Sequence, residues 1–171
     1  MIHQQTLLPH PYTQQAGAAS QGLAFGGIRK TVDQIIGNLG SPYVLIDAFT
    51  TDIFAPPAGI ITNLAAGTVQ IATPGLYQGI INIEATFTAD NNQSRKTNVR
   101  IFDVTAGAAV PNALMALYAG GYTAGFSSAV SLMMTLTLAN HVFRLEIGNG
   151  NAFTTFVIRQ AAFAFTSIGP V

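Results

Sequence analysis

Residues 67–87 read GTVQIATPGLYQGIINIEATF, and the order of residue types within them decides the fold. Thr68, Val69, Gln70 and Ile71 predict a short strand that runs into Pro74-Gly75. Proline presets φ and glycine tolerates left-handed backbone, so this dipeptide predicts a sharp corner. Beyond it Ile81, Ile83, Ala85 and Phe87 alternate with Asn82, Glu84, Thr86 and Thr88. Alternation with period two predicts a strand with one face buried. Tyr77 sits just past the corner, where its ring enters a core and its hydroxyl finds a backbone partner at the rim. Pro74, Gly75 and Tyr77 are thus the structural corner.

The same signals recur outward from this stretch. Residues 42–46, 60–61 and 98–104 read as strands, and Ala106-Gly107 turns the last of them. Residues 113–118 fit a strand or a helical turn, while Gly120-Gly121, Gly125 and Ser127-Ser128 predict a loop. Leu132, Met134, Leu136 and Leu138 alternate with Ser131, Met133, Thr135 and Thr137, then Phe143, Leu145 and Ile147 alternate again after Asn140. Gly148-Asn149-Gly150-Asn151 is a strong turn signal, and residues 153–165 close the series with Ala161, Phe163 and Phe165 on one side. Eight or nine short strands at this spacing predict an all-β sandwich over residues 41–171.

Residues 1–40 read differently. Gln, Ala, Gly and Pro dominate 1–27, which predicts an extended N-terminal arm that cannot form its own core. Fully stretched it spans about 90 Å, enough to cross a neighbouring subunit. Leu7, Leu8, Tyr12, Leu23 and Phe25 are its apolar anchors for a partner surface. Residues 31–39 fit one short helix. Thr31 and Gln34 have capping-box spacing, Asp33 lies in the first turn, and Val32, Ile35, Ile36 and Leu39 share a face.

The whole-chain totals exclude several function classes. Of the 171 residues only 8% are charged and 49% are hydrophobic, with seven basic and seven acidic residues cancelling. Charge at about a third of the usual share leaves no basic face for nucleic acid. It also leaves a monomer short of the charges that keep a surface dispersed, so the composition predicts association. There is no cysteine, which leans towards intracellular assembly or towards stability taken from subunit contacts, and residues 1–15 show no signal-peptide pattern. The two charge-free stretches, 53–83 and 104–143, are broken by Pro, Gly, Asn and Ser, so no membrane-spanning helix is expected.

Residues 67–71 with 74–77 resemble the TG-x-F…PGLY corner of the jelly-roll domain shared by tumour necrosis factor and the complement globular heads. Residues 136–145, LTLANHVFRL, are similar to that family's L-x-L-x-x-G-D-x-V-x-L hairpin, with Ala139-Asn140 where Gly-Asp is usual. The likeness covers residues 41–168. It implies a ten-strand jelly roll, a compact homotrimer about a three-fold axis, and interaction in place of catalysis.

A search for chemistry yields little. His3 and His10 lie in the arm, and His141 at a strand edge reads as structural or exposed. Asp90-Asn91-Asn92 offers one carboxylate, too few for firm calcium binding, and reads as a solvated loop. No nucleophile elbow, phosphate loop or zinc motif occurs. No catalytic residue, metal site or cofactor is therefore expected. Tyr118, Tyr122, Phe126 and Phe143 are assigned to the core or the three-fold interface.

These features together predict a virion structural protein assembled in the host cytoplasm, a trimeric bacteriophage capsid decoration or cement protein on the capsid surface. Its partner would be the major capsid protein or another virion protein, and its uncharged arm separates it from coat proteins that neutralise packaged nucleic acid. The alternative is a receptor- or carbohydrate-binding head of a phage fibre or bacterial surface protein, using the 119–128 loop and its tyrosines.

Overall fold

The computed structural model describes residues 24–37, 42–53, 59–88, 95–119, 123–148 and 155–169. Among them twelve strands follow in order: β1 (Phe25–Lys30), β2 (Gln34–Ile36), β3 (Val44–Leu45), β4 (Thr51–Asp52), β5 (Ile60–Asn63), β6 (Thr68–Ile71), β7 (Gly75–Thr88), β8 (Arg95–Asp103), β9 (Ala108–Ala119), β10 (Thr123–Leu136), β11 (His141–Gly148) and β12 (Thr155–Gly169). They form two antiparallel sheets. The first runs β10-β7-β12-β1-β4, with β2 also on β12; the second runs β5-β6-β11-β8-β9, with β3 also on β11.

The predicted corner is where the chain changes sheet. β6 belongs to the second sheet and β7 to the first, with Pro74 between them. Gly75 is needed for space here: a Cβ would stand 3.0 Å from the Gly169 carbonyl oxygen and 3.2 Å from the Tyr77 ring. Tyr77 is buried, and its hydroxyl donates to the Thr73 carbonyl at 2.9 Å. The alternation beyond it holds, since Ile81, Ile83, Ala85 and Phe87 are all buried.

The core lies between the sheets and is rich in phenylalanine. Phe143 of β11 meets Phe165 of β12 at 5.0 Å between ring centroids. Phe163 meets Phe165 at 6.0 Å and Phe49 at 5.8 Å, both edge to face. Such edge-on pairs add about 1 kcal/mol each to the burial of the rings.

Four expectations are corrected. The described part of the expected helix 31–39, residues 31–37, holds no helix; β2 pairs there with Phe156, Val157 and Ile158. Ile36 is buried while Ile35 is 75% exposed. The spacing of Val32, Ile35 and Ile36 suits either period, and the open side of β12 decides for the strand. Residues 25–27, assigned to the arm, belong instead to β1, which lies between β12 and β4 inside the first sheet. Gly125, Ser127 and Ser128 are not loop but part of β10, opposite Thr86, Glu84 and Ile83. Residues 113–118, left between strand and helical turn, are strand within β9. The two-residue strands β3 and β4 and the added β1 and β2 raise the count above the eight or nine expected.

Lys30, at the end of β1, is fully buried. Its ammonium donates to Gln34 Oε1 at 2.8 Å, Gln34 Nε2 donates to the Leu45 carbonyl, and the Asp47 backbone N–H donates to the same Oε1. Burial pulls the Lys30 pKa below the ordinary lysine value, with the Asp47 and Asp33 carboxylates partly offsetting it. The folded chain therefore sheds this proton at lower pH than the unfolded chain. Between those two values it binds fewer protons, so stability rises with pH across that window. Lys30→Met removes the buried charge and leaves Gln34 Oε1 its bond to Asp47. Urea unfolding of Lys30→Met is expected at wild-type stability or up to about 2 kcal/mol above it at neutral pH. The alkaline rise should be smaller in the variant; a rise equal to that of wild type would contradict the assignment.

Candidate functional site

The described residues expected at an interface, Tyr118, Phe126 and Phe143, belong to β9, β10 and β11. Phe143 is 0% exposed and belongs to the core of a single chain, so its assignment to an interface is corrected. Tyr118 is 66% exposed on β9 of the second sheet, with the Lys96 ammonium 5.7 Å from its ring centroid. Phe126 belongs to β10 of the first sheet. Tyr122 lies outside the described residues, as do Leu7, Leu8, Tyr12 and Leu23 and the Asp90-Asn91-Asn92 segment. Phe25 is half-buried in β1. Within the 119–128 segment proposed for sugar binding, residues 123–128 belong to β10.

A different surface has the character that the composition calls for. The three longest strands, β7, β10 and β12, lie side by side and contain between them one glutamate and one arginine. Side chains alternate across a strand, so the residues not in the core form rows on the outer face. The registers give these rows directly. One is Ala129, Asn82, Ala162 and Arg29; the next is Ser131, Ile80, Ala164 and Gly27; a third is Met133, Gln78, Thr166 and Phe25. Among these positions Arg29 alone is charged, and it stands at the margin with Glu84 beyond Asn82. Ala129 and Ser131 are exposed and Met133 is 54% exposed.

The middle of this face, Ala129, Ser131, Ala162 and Ala164, is made of short side chains. Short side chains let a second protein surface approach the backbone closely, and few rotamers are frozen when they are covered. A solvent-facing sheet normally carries charge on its outer positions. The sequence signal was present in the solvent-side positions of residues 78–82, 129–133 and 162–166, which hold no charged residue. The three segments are distant in sequence and meet only through pairing.

The outer face of the second sheet is a contrast. Glu146 of β11, nearly buried, receives Arg100 at 2.6 Å and Arg144 at 2.6 Å on opposite carboxylate oxygens. The Arg100 guanidinium lies 3.6 Å from the Tyr43 ring centroid. Two guanidiniums on one carboxylate leave a net positive charge with its partners already engaged.

His141 is neither free nor fully exposed: its Nδ1 stands 2.5 Å from Asp103 Oδ2. No group of three or more metal-ligating side chains occurs among the described residues. No described helix is long and apolar enough to cross a membrane.

No family model matches the sequence, and no curated protein is similar to it. A solved structure is similar: the globular domain of zebrafish complement 1qA protein superimposes with a TM-score of 0.51. The match covers 87% of this chain and 99% of that one. The fold is the complement-type, tumour-necrosis-factor-like jelly roll. Sequence identity is 11%, so the likeness carries the arrangement of strands and none of the chemistry.

Proposed function

We propose that this chain is a homotrimeric structural and binding module whose copies pack through the outer face of the first sheet. The observation that carries the reading is the uncharged patch of Ala129, Asn82, Ala162, Ser131, Ile80 and Met133. Two further points support it. Complement-type globular domains are generally binding domains without catalytic activity and commonly form homotrimers. A chain with 8% charged residues also gains most by covering an uncharged surface.

The finer reading places this trimer on the outside of a bacteriophage capsid as a decoration or cement protein bound to the major capsid protein. It rests on the absence of any Asp, Glu, Lys or Arg before Arg29, which suits adhesion to a protein lattice and not to nucleic acid, and on the match between a trimer and the three-fold positions of an icosahedral shell. Cryo-microscopy of purified particles should place this chain at those positions; particles without density there would remove the capsid role while leaving the trimer intact.

The trimer itself is tested by light scattering. The full chain is expected to run as a trimer. Ala129→Arg combined with Ala162→Arg puts two desolvated charges into the patch and should weaken association by at least about 100-fold, with an unchanged circular dichroism spectrum. A trimer indifferent to both substitutions would show that the copies meet elsewhere.

A further inference from the structure

Strand β9 is three residues longer than the strand it pairs with. Arg100 faces Leu114 while Phe102 faces Ala109, so β8 spends Ile101 alone where β9 spends residues 110–113. Pro111 within this insertion has no N–H to give the ladder, and Asn112 sits in the left-handed region at φ 59°. The strand arches away from its neighbour, and bulges of this kind open space beside functional sites.

Under the arch is a cavity of about 420 Å³. Val110 and Pro111 roof it, Phe143, Leu136 and Met134 line its buried side, and Met133 stands at its exposed edge. Asp103 and His141 are also in its wall. The Asp103 carboxylate accepts the Ala106 backbone N–H at 3.0 Å on Oδ1 and His141 on Oδ2. A carboxylate only accepts, so the His141 proton is fixed on Nδ1 and the ring is held in place, stacked on Phe143 at 6.1 Å. The second ring nitrogen, Nε2, is then an oriented polar group in the wall of a largely apolar cavity whose lining also includes Asn112 and Thr135. In the neutral ring it accepts a hydrogen bond, and in the charged ring it donates one.

We propose that this cavity binds a small apolar molecule bearing a single hydroxyl group, with the hydroxyl on His141 Nε2. A hydroxyl donates and accepts, so it satisfies either form of the ring. The volume lies in the range of small-ligand sites and exceeds what one benzene ring needs, which leaves room for a short alkyl chain. The flexible side chains of Met133 and Met134 adapt to irregular apolar shapes.

The probes are 4-propylphenol and propylbenzene, which differ by the hydroxyl alone. The chain has four methionines, and Met115, buried away from this cavity, serves as an internal control. In methyl NMR titrations of the full chain, 4-propylphenol should shift the Met133 and Met134 signals and leave Met115 in place. Propylbenzene should bind about tenfold more weakly, and His141→Phe should reduce that preference to about twofold or less. Val110→Phe fills the roof and should abolish both titrations, with an undisturbed Met115 signal showing that the chain is folded. Absence of shifts with the phenol, equal binding of both probes to the wild type, or binding that survives in folded Val110→Phe would each overturn the proposal.

Discussion

Gly27→Ala is expected to destabilise the chain by about 3 kcal/mol or more, a large share of the stability of any single domain. Gly27 lies in β1 opposite Ala164, and its carbonyl accepts the Ile53 backbone N–H at 2.9 Å, so it is tied on both sides within the first sheet. A Cβ there would stand 2.3 Å from the Phe163 carbonyl oxygen and 2.5 Å from both Ala164 Cα and Cβ. These are backbone atoms or atoms fixed to it, so no rotamer change relieves the clash. At Gly26 the obstructing atom is Ile60 Cγ2 at 2.8 Å, a side-chain methyl and not backbone. At Gly37 nothing lies within 4 Å. Thermal melts should therefore rank the three alanine variants. Gly27→Ala is expected to lose roughly 6–12 °C, Gly26→Ala less, and Gly37→Ala to match wild type or gain slightly. A Gly27→Ala melt within about 2 °C of wild type would show that β1 does not pair with β12 as described.

That pairing marks the limit of what the residues alone disclose. The corner at Pro74-Gly75, the buried side of β7 and the burial of Phe143, Leu145 and Ile147 all follow from local alternation, because a two-residue period needs no knowledge of the partner strand. The assignment of 25–30 and 34–36 does not. Residues 25–27 share the composition of the arm, and Val32, Ile35 and Ile36 fit a helix stripe; strand becomes the better answer only once the exposed side of β12 is available to both segments. Gly125, Ser127 and Ser128 went wrong for the same reason, since turn propensity is weak against fourteen residues of pairing with β7. Asp103 and His141 are 38 residues apart, and no spacing rule links a turn aspartate to a histidine on the adjacent strand. The site was least legible of all. Its defining property is a lack of charge shared by three strands distant in sequence, visible only after their registers are known.

Phe143→Ala separates core from interface at a residue for which the sequence offered both. The ring is inaccessible in a single chain, on a strand flanked by Val69 and Asp103, and packs on Phe165. Truncation removes those contacts and opens a void, at a cost of about 3–5 kcal/mol. The lower end is expected, because one side of the ring already borders the cavity under β9 and little new surface needs to be dried. A core residue weakens the fold of each chain, so the loss should be the same across a hundredfold range of protein concentration, whereas a residue between subunits acts through association and its effect varies with concentration. Tyr118→Ala, at a site 66% exposed, is expected to change stability by no more than about 0.5 kcal/mol. Urea midpoints measured at both ends of the concentration range decide the matter. A Phe143→Ala loss that shrinks as the protein is diluted would return the ring to the interface, and with it the need to redraw how β11 faces β12.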